Sequence, residues 1–398
     1  MMGAMMRAVA ADGQLPLAGL RVVDFSWIIA GPLTTKMLGA MGAEIIKIES
    51  STRAEHAARG GGFPVLNNNK RSCTIDFTKA EGQALLHRLV AASDVVVENF
   101  SARVLTKYRL GYDALREVRP DLIFVSASGV GRTGPQRDAL AYGTLLQAYS
   151  GRAGLIGPPN NKLEAMGILP VWTDPVTAMW EVLSVLAAVH HRRRTGQGAF
   201  VDLSMLEATV ALLPDALLRH GLDLGGYGPG GNEDGESSPG GCFRCQGEDA
   251  WIAVAVRDDA EWQALCVEMA SPELANRWAD APARRDAKPL LNDILANWLT
   301  DQDADAAECR LQARGVPAAR TRHFGGVMDD EHLAARGLFP ELAGGRRTFA
   351  LPWRDASGWR GRQEPAPQLG ADNDYVFGEL LGLDERERER LKADGVIG

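Results

Sequence analysis

Residues 20–49 read LRVVDFSWIIAGPLTTKMLGAMGAEIIKIE. Leu20–Phe25 is a short β-rich run, Gly31-Pro32 opens a helix that runs to about Met41, and Glu44–Glu49 is a second strand. The alternation continues. Cys73–Phe77 (CTIDF) follows a polar loop, a helix runs from about Ala80 to Ala92, and Asp94–Val97 and Leu122–Ser126 are two more strands. Strands separated by helices are joined by crossovers, so they run mainly parallel in a sheet covered on both faces. The expected fold class is α/β. Ligands of such sheets bind beyond the carboxyl ends of the strands.

The chain has 398 residues, more than one ordinary core accommodates, so two domains are expected. It is 45% hydrophobic and 24% charged, with a formal net charge of −8, which argues against a general nucleic-acid binder. No apolar run reaches the ~20 residues that span a membrane. The start, MMGAMMRAVAADGQLP, lacks the long apolar region of a secretory signal and reads as a mobile tail. Cys73, Cys242, Cys245, Cys266 and Cys309 are an odd, sparse set, which fits reduced thiols and a cytoplasmic location. Cys242 and Cys245 form a lone CxxC without a second pair, so no metal site is expected.

Residues 225–241, GGYGPGGNEDGESSPGG, are read as outside any regular element, either a cover for a site or a linker. WIAVAV at 251–256 is a buried strand, and the region to about Arg320 is helical. Asp384–Lys392 alternates Glu and Arg as a solvated helix. The expected division is 15–224 as the first part of a large domain, 225–325 as a small α+β domain, and 326–398 as a return to the large domain.

Thr173-Asp174-Pro175 precedes an almost wholly apolar stretch, Val176–Val189, broken by Glu181 and Ser184 and ending in HHRRRTGQG at 190–198. Asp is a favoured N-cap and Pro a favoured first helical residue; the basic run suits the negative end of the helix dipole, and Gly196 lies just past the stop. On local sequence Asp174 is a cap. Gly129–Gly134 satisfies GxGxxG after a strand, but Pro135-Gln136-Arg137-Asp138 follows in place of a helix, and no acidic residue ends a strand about 20 residues on. It reads as a flexible turn rather than a dinucleotide fingerprint.

Taken together these segments resemble the class III CoA-transferases, the family of formyl-CoA transferase and carnitine CoA-transferase. Residues 17–49 look like the family's opening, Asn67–Asp76 (NNNKRSCTID) its next motif, and Val97-Glu98-Asn99-Phe100 its VENF segment. SASGVGRTGP is similar to a family turn. Asp174 with the HHRRRTGQG helix end resembles the segment carrying the catalytic aspartate, and Gly315-Val316-Pro317-Ala318 and the late ELLGL also fit. The resemblance implies a Rossmann-like large domain, an interlocked homodimer, and acyl-CoA and a small carboxylic acid as substrates, with no permanently bound cofactor. It implies Asp174 as a nucleophile that forms an anhydride and then an aspartyl-CoA thioester. It places CoA contacts at Ile29, Ala30, Ile75, Asp76, Phe77, Lys79, Asn99, Phe100, Lys107 and Tyr142.

The chain departs from the family pattern in three places. Lys107 stands where an Arg is expected, Ser50 where formyl-CoA-type members carry an Arg, and Gly143 where an acidic residue is frequent. These changes weigh against formyl-CoA and oxalate as substrates. The same fold includes α-methylacyl-CoA racemases, which pair an Asp with a His. Here their His segment reads Ala141-Tyr142-Gly143, and His190 and His191 lie at the far end of the helix, ~24 Å from Asp174. A diverged, non-catalytic CoA-binding protein is the remaining alternative.

Overall fold

Six strands form one parallel sheet in the order β3-β2-β1-β4-β5-β6: β1 (Arg21–Asp24), β2 (Glu44–Glu49), β3 (Arg71–Thr74), β4 (Val95–Glu98), β5 (Ile123–Ser128) and β6 (Ala199–Ser204). The computed structural model describes residues 15–53, 59–101, 103–139, 141–157, 172–225, 228–232, 235–342 and 345–398. The expected mobile tail at 1–14 lies outside them.

The period of two along each strand separates two cores. Val22, Ile45, Val95, Val97, Ile123 and Val125 face α1 (Ala30–Ala40) and the long helix that begins at Thr173. Val23, Ile46, Val96 and Phe124 face the other way, against α2 (Ala80–Ala91) and the C-terminal residues Val376, Phe377, Leu391 and Val396. The chain end therefore returns to the large unit's core. Downstream come α3 (Gly143–Tyr149), α4 (Thr173–Thr195), α5 (Met205–Val210) and α6 (Pro214–Gly221).

The described residues divide into two compact units, one from 15–153, 172–225 and 334–398 and the other from 154–157 and 228–333. The second has its own core, including Trp262, Leu265, Leu291, Leu295 and Leu311. Its sheet is antiparallel: β7 (Gly240–Arg244), β8 (Trp251–Ala255) and β9 (Ala318–Arg320). All five cysteines are free, and no metal-binding cluster of His, Cys, Asp or Glu exists among the described residues. No described helix is long and apolar enough to cross a membrane.

Three local readings change. Gly240 and Gly241 belong to β7, opposite Ala255 and Val254, although the glycine-rich run was read as excluded from regular structure. β6 is a full six-residue partner of β5 that the sequence reading omits; its burial alternates instead of being continuous. The third strand ends at Thr74, because the Asp76 N–H turns to the Val396 carbonyl and Ile75 bridges Ile397.

The turn from β1 into α1 is fixed by buried charge. Asp24 accepts from the Lys70 ammonium at 2.9 Å, from the Thr35 hydroxyl at 2.7 Å and from the Ser26 N–H at 2.8 Å. Lys47 donates to the Ser26 carbonyl at 2.8 Å. Burial opposes ionisation of Asp24, but Lys47, Lys70 and the two hydroxyls reverse it and bring its carboxyl to about 2. A folded pKa below the unfolded value gives stability that is present above about pH 4 and lost as pH falls through 2. Lys70→Met leaves this carboxylate buried without its partner. It should lower unfolding free energy by about 3–5 kcal/mol near neutral pH, measured by urea denaturation; a loss below about 1 kcal/mol would show that Lys47 alone compensates the charge.

Candidate active site

A cavity of about 720 Å³ opens over the carboxyl ends of β1, β4 and β5. Because the strand order reverses between β1 and β4, this is the topological switch point of the sheet, where the crossovers leave a crevice. Its walls include Trp27, Ile28 and Ile29 after β1, Asn99 and Phe100 after β4, Ser128 to Val130 after β5, Tyr142 and Gly143 entering α3, and Asp174 on α4.

The first wall is held by Asn99. Its Oδ1 accepts from the Trp27 N–H at 2.8 Å and its Nδ2 donates to the Trp27 carbonyl at 2.7 Å. The clamp holds the turn in which Ile28 takes a φ of 68°, an uncommon conformation for a β-branched residue. Gly31 is required immediately afterwards: a Cβ there would lie 2.2 Å from the Ser26 Cβ. Another wall is held by Arg132, which donates to Glu98 at 2.5 Å and to the Phe100 carbonyl at 2.8 Å, while its N–H meets Asp202 at 2.8 Å. Burial lifts Glu98 above its usual range despite Arg132 and the Ser126 hydroxyl. The GxGxxG segment is thus a turn with Gly131 and Gly134 at positive φ, anchored by its own arginine.

Asp174 is the buried carboxylate of the cavity, 8% exposed. It does not cap α4, as the local sequence suggests. Trp172 holds the cap position without a side-chain bond, and Asp174 lies in the first turn. The difference arises from tertiary contacts. Thr173 donates its hydroxyl to the Gly143 carbonyl at 3.2 Å and accepts from Thr209 at 3.2 Å, and the helix starts two residues earlier than the local sequence suggests. Pro175 fits because first-turn N–H groups have no intrahelical partner. Gly196 ends the helix in the left-handed region at φ 72°, as expected. Burial raises the Asp174 pKa, opposed by its own N–H and by that of Ala30. No described cation forms an ion pair with it.

Of the other expected contacts, Ile29, Asn99, Phe100 and Tyr142 line this cavity and Ala30 opens α1 beneath it. Phe77 lines an adjoining recess with Phe25, Ser50, Arg53 and the shared Trp27 and Phe100. Its ring meets Tyr108 at 5.3 Å, over which Lys107 sits at 5.2 Å. Ile75 is in the core, Asp76 accepts from Thr78, and the Lys79 ammonium donates to the Asp394 and Gly395 carbonyls. These three do not line the cavity. Lys70 is buried against Asp24, so it orients its loop. Trp27, Ser128, Arg103 and Arg137 line the cavity without having been singled out; for Trp27 the signal was available, since it lies in the turn after the first strand.

A model of CoA-transferase family III matches residues 17–373. The chain is 32% identical to a succinyl-CoA–D-citramalate CoA-transferase of Chloroflexus aurantiacus, over 96% of this chain and 98% of that one. It is 32% identical to a succinyl-CoA:mesaconate CoA-transferase of Haloarcula marismortui, over 82% and 85%. The crystal structure of a CAIB/BAIF family protein from Brucella suis superposes with a TM-score of 0.84 at 28% identity, covering 92% of this chain and all of that one. The fold is that of an acyl-CoA-metabolising transferase. The chain belongs to CoA-transferase family III and is an enzyme of that family, whose substrates are CoA thioesters.

The Asn99 clamp yields a direct expectation. Asn99→Ala removes two hydrogen bonds worth about 1 kcal/mol each. CoA affinity measured by calorimetry should fall about tenfold, with the circular dichroism spectrum retained; unchanged affinity would mean that the Trp27 turn holds its shape without the amide.

Proposed function

We propose that this enzyme moves CoA between an acyl-CoA donor and a carboxylic acid through covalent intermediates on Asp174. A carboxylate oxygen of Asp174 attacks the thioester carbonyl; the C–S bond breaks and CoA leaves as thiolate, giving a mixed anhydride. The thiolate attacks the Asp174 carbonyl, expels the donor acid as carboxylate and leaves an aspartyl-CoA thioester. The acceptor carboxylate attacks that thioester and releases the thiolate again. The thiolate then attacks the acceptor's carbonyl in the new anhydride, forming the product acyl-CoA and freeing Asp174. Each step exchanges one leaving group for another, so the cycle takes up and releases no net proton.

The observation that carries this reading is a buried carboxylate at a helix start, paired with no cation among the described residues, within the switch-point cavity. The Ala30 N–H beside it favours the ionised form. Racemisation needs a second base, and among the described lining residues there is no histidine. Since α4 is continuous from Thr173 to Thr195, His190 stands ~24 Å from Asp174.

Dicarboxylic acids are the substrate class we propose, with succinyl-CoA as donor. Relatives carry succinyl-CoA, citramalate, mesaconate and glutarate in their names. Of the two arginines lining the cavity, Arg103 is held by Asp138 through two bonds, whereas Arg137 lies 4.0 Å from Asp138 with a side chain 60% exposed. Arg137, held by that one longer contact, is the guanidinium we propose to pair with a distal carboxylate. Incubation with succinyl-CoA and trapping with hydroxylamine or borohydride should label Asp174, and Asp174→Ala should abolish both adduct and transfer. Dicarboxylic acceptors should outpace monocarboxylic ones. An Asp174→Ala enzyme with full activity would sink the mechanism, and CoA binding without adduct across acyl donors would leave a non-catalytic binder. Solvent deuterium entering the α-carbon of a branched acyl-CoA would instead mark a racemase.

We further propose a homodimer. Met179, Trp180 and Leu183 form an exposed apolar stripe on α4, and Leu217 and Leu218 expose another on α6. Apolar area of this kind on a water-soluble face marks an interface. Sedimentation equilibrium should give twice the 42.8 kDa chain mass, and the double substitution Met179→Glu, Leu183→Glu should shift the mass towards one chain. A wild-type monomer at micromolar concentration contradicts the proposal.

A further inference from the structure

Two turns below Asp174, α4 carries a second acid. Glu181 is seven residues on, so it lies on the same helix face, ~10.5 Å away along the axis. It is 0% exposed. Its Oε2 is 2.5 Å from the Thr34 Oγ1 on α1, and its Oε1 has no partner among the described residues. The Thr34 hydroxyl is also 3.0 Å from the Ala30 carbonyl and 3.4 Å from the Ala178 carbonyl.

A hydroxyl has one proton to give. If Glu181 were charged, Thr34 would spend that proton on Oε2. The Ala30 contact would go unmade, and a buried charge would keep one bare oxygen. If Glu181 is neutral, its O–H donates to Thr34 and the Thr34 hydroxyl donates to Ala30, so both short contacts are hydrogen bonds. The charged groups that act most on it through space are acidic: Asp24 on β1, Glu98 on β4 and Asp174 on its own helix. None of the described cations pairs with it. Burial, outweighing the Thr34 contact, together with these three carboxyls pushes its pKa up to about 8.

The same two helices meet at the nucleophile. Ala30, whose N–H favours the ionised form of Asp174, opens α1, and Thr34 lies one turn further along it. We propose that neutral Glu181 is a positioning residue: through Thr34 it sets the register of α1 against α4 that presents the Ala30 N–H to Asp174, and ionisation of Glu181 releases that register. The proposal rests on Asp174 as the nucleophile. Because the exchange itself takes up no net proton, loss of adduct formation at alkaline pH reports a protein group, and Glu181 is placed to be it.

The test uses full-length enzyme, single-turnover adduct formation from succinyl-CoA between pH 6 and 10, and melting midpoints over the same range extended to pH 5. Wild-type adduct formation should fall about tenfold per pH unit above a midpoint near 8. Glu181→Gln, a neutral mimic with a donor for Thr34, should stay within about threefold of wild type at pH 7 and move the alkaline limb up by at least about one pH unit. Glu181→Leu fills the space without a donor. It should form adduct at least about tenfold more slowly at pH 7 while still melting cooperatively.

Melting gives a readout independent of catalysis. The folded pKa lies above the unfolded one, so the stability Glu181 contributes is full below pH 4.5 and lost as pH rises through about 8. Glu181→Gln should flatten that decline. An unchanged alkaline limb in Glu181→Gln, or wild-type rates in Glu181→Leu, overturns the positioning role. If wild type forms no adduct at any pH, the reading of Asp174 fails, and the melting series still decides Glu181: an unchanged slope in Glu181→Gln overturns its neutral state.

Discussion

The active-site cavity depends on a charge pair that no solvent reaches. Asp24 and Lys70 have fully buried side chains 2.9 Å apart. Taking two ions out of water costs several kcal/mol each, so such a pair is a poor source of stability compared with apolar packing. Its value here is directional. Asp24 fixes Ser26 and Thr35, Lys47 fixes the Ser26 carbonyl, and between them the chain must leave β1 and enter α1 by one route. Asn99, just past β4, holds the middle of that route from 72 residues away in sequence. The product of all this polar scaffolding is the placement of one backbone N–H, that of Ala30, beside Asp174.

Three buried acids near this turn differ by what surrounds them. Asp24 has two lysines and is held ionised. Glu181 has a threonine and a ring of other acids, and is pushed towards the neutral form. Asp174 is intermediate: burial raises it, while two N–H groups restrain the rise. Like charges crowded into a poorly solvated region cannot all ionise, so a neutral Glu181 relieves Asp174 of one repulsive neighbour. Gly143 contributes its carbonyl to Thr173 and adds no charge to the cavity.

The α/β class and five of the six strands were legible because strand and helix periods are local properties. β6 was missed because its alternating exposure lacks the continuous apolar run of a doubly covered strand. The family segment around Asp174 was equally visible, but its place in the helix was not. That depends on Thr173 reaching Gly143, 30 residues earlier. Asn99 was read as a ligand contact and lines the cavity, yet its amide is committed to Trp27. Glu181 was visible only as an exception in an apolar helix. Its meaning required Thr34, 147 residues away. What sequence could not reveal, in each case, was the distant group that uses up a side chain's hydrogen bonds.

The position of Asp174 within the first turn matters to its chemistry. A capping aspartate spends a carboxylate oxygen on the N–H of the second or third helical residue, and a lone pair so used is a poorer nucleophile. With Trp172 at the cap position and Thr173 tied sideways, the helix start is built without that demand. Asp174 keeps the favourable field of the helix N-terminus and is partly stripped of water, which raises the energy of its charged form. The Ala30 N–H then limits that rise. A cap would have made Asp174 a structural residue; two positions further into the helix, it is placed for the nucleophilic role proposed for it.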